Sequence, residues 1–289
     1  MIEKSDCLEK ISSGRILARI AEAANRYSLD PRLLRARVLL HLPRGATESG
    51  YASMRWIRHE VDRIAARVSA DSYSGLDLRV QSGLTQVALN SLSFERTTES
   101  VALLVCKHFH YLGRMRSSSQ HWSLYNVETE ELVAYCSVSP MGHDAKRTKL
   151  NIRLNVAEAD LLMLSRVYTS PGAPRFAISY LLRRTLRELR KSDVRFICSA
   201  VDPNLGFTGV SYRASGWTLV HAQDPEPYKY VDDNFVTTGE LLALTGTSVA
   251  AEQGHQLGPR LSASICRLKG QLIFGRPLRR GEDVTHLYN

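Results

Sequence analysis

Three stretches of the sequence crowd together side chains that can do chemistry. The richest is SAVDPNLGFTGVSYRASGW, Ser199 to Trp217, where Asp202, Asn204, Tyr212 and Arg213 gather around Pro203, Gly206 and Gly209. Asp202 stands where an apolar run ends, a usual place for working side chains in open α/β sheets. A carboxylate there can orient or deprotonate an amine, and Gly209 lets a substrate approach the backbone. Tyr212 can pass a proton to a leaving oxygen, although a phenol with an ordinary pKa of about 10 does so only when pushed. The plain alternative makes Asp202 a cap on the turn.

The second stretch, KHFHYLGRMRSSS, sets His108, His110, Tyr111, Arg114, Arg116 and three serines around Gly113. Arginine with serine grips phosphate, so His110, Tyr111, Arg114 and Ser118 are candidates for an acceptor or 3′-end pocket. The two histidines point different ways and lack a third ligand, so no metal is expected. A C-capping glycine followed by a solvated loop is the alternative. In the third, LSRVYTSPGAPRFAISYLLRR, a strand carrying Arg166 feeds a helix through a short turn. Helix starts offer free N–H groups to anions, but Pro171 and Pro174 remove two of them. Arg175, Arg183, Arg184 and Arg187 would still attract a phosphodiester chain, or else form a merely solvated face.

The positioning elements follow from periodicity. Residues 1–95 read as helices: Asp30-Pro31 starts one, and Ile57, Val61, Ile64 and Val68 recur at helical spacing in another. Beyond residue 96, Ser100 to His108 is expected as a helix, and His121 to Val127 and Glu131 to Ser139 as a hairpin. Leu161 to Thr169 is a strand, Arg175 to Lys191 an amphipathic helix and Val194 to Val201 a buried strand. Two strands, near Trp217 to His221 and Tyr228 to Val231, and a helix from Thr237 to Leu244 complete a mixed α/β layer structure. The expected organisation is a helical region 1–95, a catalytic domain 96–245 and an extension 246–289 without an assigned fold.

Composition narrows the class. The 289 residues, 44% hydrophobic and 23% charged, suit a globular protein with a real core. The sequence shows neither a bilayer-length apolar run nor a secretory signal, so a cytoplasmic protein off the membrane is expected. Five scattered cysteines, Cys7, Cys106, Cys136, Cys198 and Cys266, form no CxxC pair and argue against disulfides and zinc. Thirty-eight Lys and Arg against 29 Asp and Glu give +9, a field that favours polyanions.

Taken together, HYLGRMRSS, the Arg166–Leu182 strand-turn-helix and AVDPNLGFTGVSYRASGW resemble the phage Mom DNA-modification family over roughly residues 100–235. Phe207 stands where that family often has His. The resemblance implies a GNAT-like mixed sheet flanked by helices, and modification of the N6 amine of adenine. It further implies an acyl-transfer site in which Asp202, Tyr212 and Arg166 are catalytic and His110, Tyr111, Arg114, Ser118, Asn204 and Gly209 bind substrate. In GNAT enzymes the turn after the arginine strand holds coenzyme A; here Pro174 replaces the second small residue. Relatives of this fold that take their acyl group from charged tRNA suit such a turn better. The expected activity is therefore transfer of an acyl, preferably aminoacyl, group from tRNA to a small amine by direct attack. A Mom-like DNA adenine enzyme and an acyl-CoA N-acyltransferase are the alternatives. No cofactor is expected, the donor being a co-substrate. A non-catalytic nucleic-acid module is disfavoured by the lack of an aromatic ladder.

Overall fold

The computed structural model of the protein describes residues 14–45, 53–70, 88–141, 157–266 and 268–279. Cys7 and the expected connections at 46–50 and 71–76 lie outside them. The chain divides into two compact units, each assembled from separate chain segments.

The first unit is mainly helical. It contains α1 (Gly14–Arg26), α2 (Pro31–His41) and α3 (Met54–Ala70). Asp30 caps α2 by accepting from Arg32 N at 2.8 Å, with Pro31 in the first turn, where its missing N–H costs nothing. On α3 the expected stripe, Ile57, Val61, Ile64 and Val68, is buried. The same unit takes in the Pro203–Leu205 turn, together with segments from beyond residue 222. These later segments form a three-stranded sheet of β7 (Lys229–Val231), β8 (Asn234–Val236) and β9 (Leu261–Ala263), with α7 (Thr238–Thr245) and α8 (Ala250–Leu257).

The second unit is a seven-stranded sheet flanked by helices, the mixed α/β architecture that the periodicities predict. Its elements are β1 (Leu92–Arg96), α4 (Glu99–Phe109), β2 (Gln120–Asn126), β3 (Leu132–Pro140), β4 (Leu161–Thr169) and α5 (Ala177–Leu189). They continue with β5 (Phe196–Val201), α6 (Val210–Ala214), β6 (Thr218–Ala222) and β10 (Leu272–Pro277). The order is β1-β2-β3-β4-β5-β10-β6, and every pair is antiparallel except β4 with β5. β3 lies mid-sheet, and all but its last residue are buried. One face packs against α5 through Leu181, Leu182, Leu186 and Leu189; the other packs against α4 through Cys106, Phe109, Tyr135 and Tyr168.

Two strands differ from expectation. Residues 92–96, read as part of a helical region, pair with β2. Residues 272–277, left without a fold, run between β5 and β6 with Phe274 fully buried. A strand of six residues whose second half is Gly275-Arg276-Pro277 has too few alternations to announce itself, and its partners lie about 50 to 80 residues earlier in the chain.

Candidate active site

The site begins with an irregularity in β4. Ser137 pairs with Arg166 and Val138 with Leu164, so Ser165 is an extra residue, a β-bulge. A bulge leaves its extra residue out of the ladder and re-aims the side chains around it. Just before it, β4 parts from β5: the parallel pairing covers only Leu161–Met163 against Phe196–Cys198, although both strands continue. The sheet is therefore splayed, with a bulge on one lip.

Arg166 follows the bulge on the α4 face, where the next residue on that side, Tyr168, stacks on Phe109 at 5.5 Å. Its guanidinium donates Nε to Arg114 O at 2.9 Å and Nη1 to Ser165 O at 2.7 Å. The strand arginine and the HYLGR loop are thus one assembly. In that loop His110 ends α4, is buried, stacks on Tyr111 at 4.4 Å and accepts from Leu112 N through Nδ1 at 3.2 Å. The proton of the neutral ring then sits on Nε2. Gly113 turns the chain at φ 69°, and Ser118 is exposed in a second tight turn at φ 55°. His110, Tyr111, Arg114 and Arg166 come together; Ser118 takes no part in their bonding.

Tyr212 lies on the other face of the sheet. Its ring packs between Trp217 (5.3 Å) and Phe274 (5.6 Å), and its hydroxyl is 2.8 Å from Ser199 Oγ, itself 3.1 Å from Leu164 O. Ser199 is the donor in both contacts and shares its one proton between the phenol and the carbonyl. Burial pushes the Tyr212 pKa up to about 12. The pair bridges the splay at its root.

Asp202 belongs to the helical unit. It caps the Pro203–Leu205 turn, Oδ1 accepting from Asn204 N at 2.9 Å and Oδ2 from Tyr228 Oη at 2.6 Å. Burial raises its pKa, with the bonds from Tyr228 and Asn204 pulling the other way. Asn204 exchanges two bonds with the main chain of Lys269, both 2.8 Å. Gly209, at φ 71°, lies so close to Phe274 that a Cβ would sit 2.3 Å from the ring. Asp202, Tyr212 and Arg166 therefore do not form one hydrogen-bonded group, and the bonds of Asn204 and the packing of Gly209 serve the fold.

Of the four candidate phosphate arginines, Arg183 and Arg187 are exposed on α5, Arg184 lies over the Phe94 ring at 5.3 Å and Arg175 over Phe176 at 4.8 Å. In the Ser170–Ala177 turn, Ala173 N and Ala177 N bond back to Ser170 O and Pro174 O. Two prolines and two internally used donors reduce the N–H groups that this turn can offer an anion. The described cysteines are buried; burial raises the Cys106 thiol and pushes those of Cys136 and Cys198 to about 12, which removes their nucleophilic form. Among the described residues no cluster of His, Cys, Asp and Glu could hold a metal ion, and no helix is long and apolar enough to cross a membrane.

Sequence reasoning missed Ser165, Ser199 and Tyr228. A bulge has no composition of its own, and Tyr228 is separated from Asp202 by 26 residues.

Similar solved structures include the ribosomal-protein-S18-alanine N-acetyltransferase from Escherichia coli (12% identity, 66% of this chain and 97% of that one, TM-score 0.38). A GNAT family acetyltransferase from Elizabethkingia anophelis with acetyl-CoA bound is similar at 7% identity (65% and 99%, TM-score 0.38). The spermidine N-acetyltransferase from Vibrio cholerae in complex with CoA and spermine is similar at 7% identity (65% and 96%, TM-score 0.37). No curated protein matches. The sequence profile described as the Mom protein family matches residues 91–257, more than half of the chain, and the chain belongs to that family.

Proposed function

We propose that the protein is an N-acyltransferase that acts on a base amine in DNA. The bulge at Ser165 beside Arg166, on the lip of the splay, carries the acyl-transfer reading. An acyl carbonyl entering the splay from the Arg166 side meets a backbone N–H outside the ladder and a fixed guanidinium, the donors that an oxyanion needs. The amine nitrogen attacks the carbonyl carbon, the bond to the donor's leaving atom breaks, and the amine's proton ends on that leaving atom. Arg166 stabilises the charge on the oxygen; His110 and Tyr111 wall the acceptor side. Ser199 and Tyr212 act as positioning residues that fix the root of the splay through the Leu164 carbonyl. Asp202 holds the turn that follows β5.

Family membership supports DNA as the acceptor, since the Mom resemblance implies the N6 amine of adenine. This places DNA ahead of the tRNA-centred reading that the sequence favoured. A second reading keeps charged tRNA as the donor. The Pro171/Pro174 turn favours it, because an acyl group esterified to tRNA needs no pyrophosphate cradle there.

Acyl-CoA, mixed charged tRNA and DNA are to be supplied singly and in pairs, with mass spectrometry of nucleosides and small amines. A mass gain on deoxyadenosine that requires DNA and one acyl donor is the expected result. An acylated small amine formed equally well without DNA would overturn the acceptor assignment.

A further inference from the structure

Ser179, Arg183, Leu186 and Arg190 follow one another at spacings of four, three and four, so they form a single stripe along α5. Together with Ala214, Ser215 and Arg276 of β10 they line a cavity of about 150 Å³. Its wall holds three guanidiniums and two hydroxyls and no carboxylate. Among the described residues none of the three arginines is in an ion pair. Two are aimed by main chain instead: Arg190 donates Nε to Leu278 O at 3.1 Å, and Arg276 donates Nη1 to Ser215 O. Gly216, at φ 73°, permits that approach, since a Cβ there would lie 3.0 Å from Arg276 Nη1. Ser215 Oγ lies 3.1 Å from Ser179 Oγ and 2.7 Å from Ser211 O, so its one proton is shared between two acceptors. Burial, with the charges of Arg190 and Arg183 added, lowers the Arg276 pKa.

Three like charges around one hollow repel one another, and a bound anion turns that repulsion into attraction. We propose that this cavity is a phosphate-binding site, distinct from the turn that opens α5, and that it takes a phosphodiester of the polynucleotide. The volume is ample for one tetrahedral oxyanion. Paired guanidinium forks match its oxygens. The choice of a phosphodiester over a free phosphate rests on the DNA reading above; the site itself does not.

Arg183→Gln carries the test because Arg183 is exposed and bonds to nothing in the fold; Arg276→Gln is the second variant. Lys191→Gln is the charge control, removing a cation already paired with Glu188 at 2.7 Å. Duplex binding is followed by anisotropy over a range of salt, and inorganic pyrophosphate binding by the rise in melting temperature. Arg183→Gln is expected to weaken duplex binding about three- to tenfold and to lower the slope of log K against log salt by about one, with Lys191→Gln near wild type. Loss of the pyrophosphate response in Arg183→Gln with duplex binding unchanged would overturn the phosphodiester and leave a free phosphate as ligand. Duplex and pyrophosphate binding within twofold of wild type in both arginine variants would overturn the site. Failure of acyl transfer with both binding losses intact would strike only the proposed activity.

Discussion

The two compact units differ in what their best-fixed arginines meet. In the helical unit several arginines meet acids: Arg19 and Arg26 share Asp62 at 2.6 and 3.4 Å, Arg63 holds the buried Glu60 at 2.6 Å, and Arg44 bridges Glu60 to Asp233. Burial works against the ionised Glu60, yet the bond from Arg63 and the charges of Arg63 and Arg44 hold its pKa below the ordinary value. In the sheet unit Arg195 and Arg279 also pair with acids, Asp160 at 4.0 Å and Asp193 at 3.5 Å, but other arginines meet carbonyls, rings or one another: Arg166 meets Arg114 O and Ser165 O, Arg184 meets Phe94, and Arg183, Arg190 and Arg276 surround a hollow. The formal charge of +9 is therefore not a uniform coat. Cations already matched by acids stabilise a fold; cations fixed by neutral partners keep their field for a ligand.

The largest expected effect tests the fixed cation at the bulge. Arg166→Ala should reduce turnover about a hundredfold, the loss seen when one well-placed oxyanion donor is removed, with the melting temperature close to wild type. Arg166→Lys restores the charge without the fork that reaches both carbonyls, so it should stay near the alanine variant. Wild-type turnover in either protein would break the link between bulge and chemistry.

Next comes Gly209. A side chain there must adopt φ 71° and displace the fully buried Phe274. Gly209→Ala should cost roughly 2 to 5 kcal/mol, the left-handed backbone and the overpacking each contributing. Urea unfolding measures the cost. Turnover per folded molecule should hold; a fall in turnover without loss of stability would return Gly209 to the substrate.

The helical unit should show its matched charges through pH. Burial lowers the His41 pKa from 6.5 to about 4, partly offset by Glu60. The fold therefore resists a proton that the unfolded chain accepts. The stability is present above pH 6.5 and is lost as pH falls toward 4, by up to about 3 kcal/mol. His41→Gln should flatten that slope. Between pH 4.5 and 6.5 Glu60, with its lowered pKa, keeps its contribution, and His121, its pKa also lowered by burial, adds a slope that the substitution leaves in place, so the difference between wild type and His41→Gln reports His41. An unchanged slope would mean that the imidazole does not report on this unit.

Sequence periodicity made most of the sheet unit legible. α5 and its buried leucines, β4 and the β2–β3 hairpin lie within two residues or so of their expected bounds, because each is long enough to repeat its apolar spacing. The second strand of that hairpin, β3, is buried on both faces, and its apolar run shows it. Of the site, the HYLGR loop and Arg166 were legible as chemistry, and their union through Arg114 O was not, since main-chain acceptors have no sequence signature. Asp202 illustrates the reverse. Its position at a strand end suggested catalysis, but whether a carboxylate is available depends on what reaches it, here Tyr228 and Asn204 N. Arg276 was invisible because β10 was; only the pairing with β5 and β6 brings it to α5.

The smallest effect discriminates most finely between the units. Removing a matched cation, as in Arg19→Gln, leaves Asp62 only the longer contact with Arg26 and should cost up to about 1 kcal/mol, the upper range for a pair near the surface. Removing an unmatched one, as in Arg183→Gln, relieves repulsion on Arg276 and should cost nothing or stabilise by a few tenths of a kcal/mol. Urea unfolding at low salt should reveal the opposite signs, and both should shrink as salt screens the charges. Were Arg183→Gln to destabilise as much as Arg19→Gln, the hollow would belong to the fold's own electrostatics, and the contrast between the units would collapse at its most specific point.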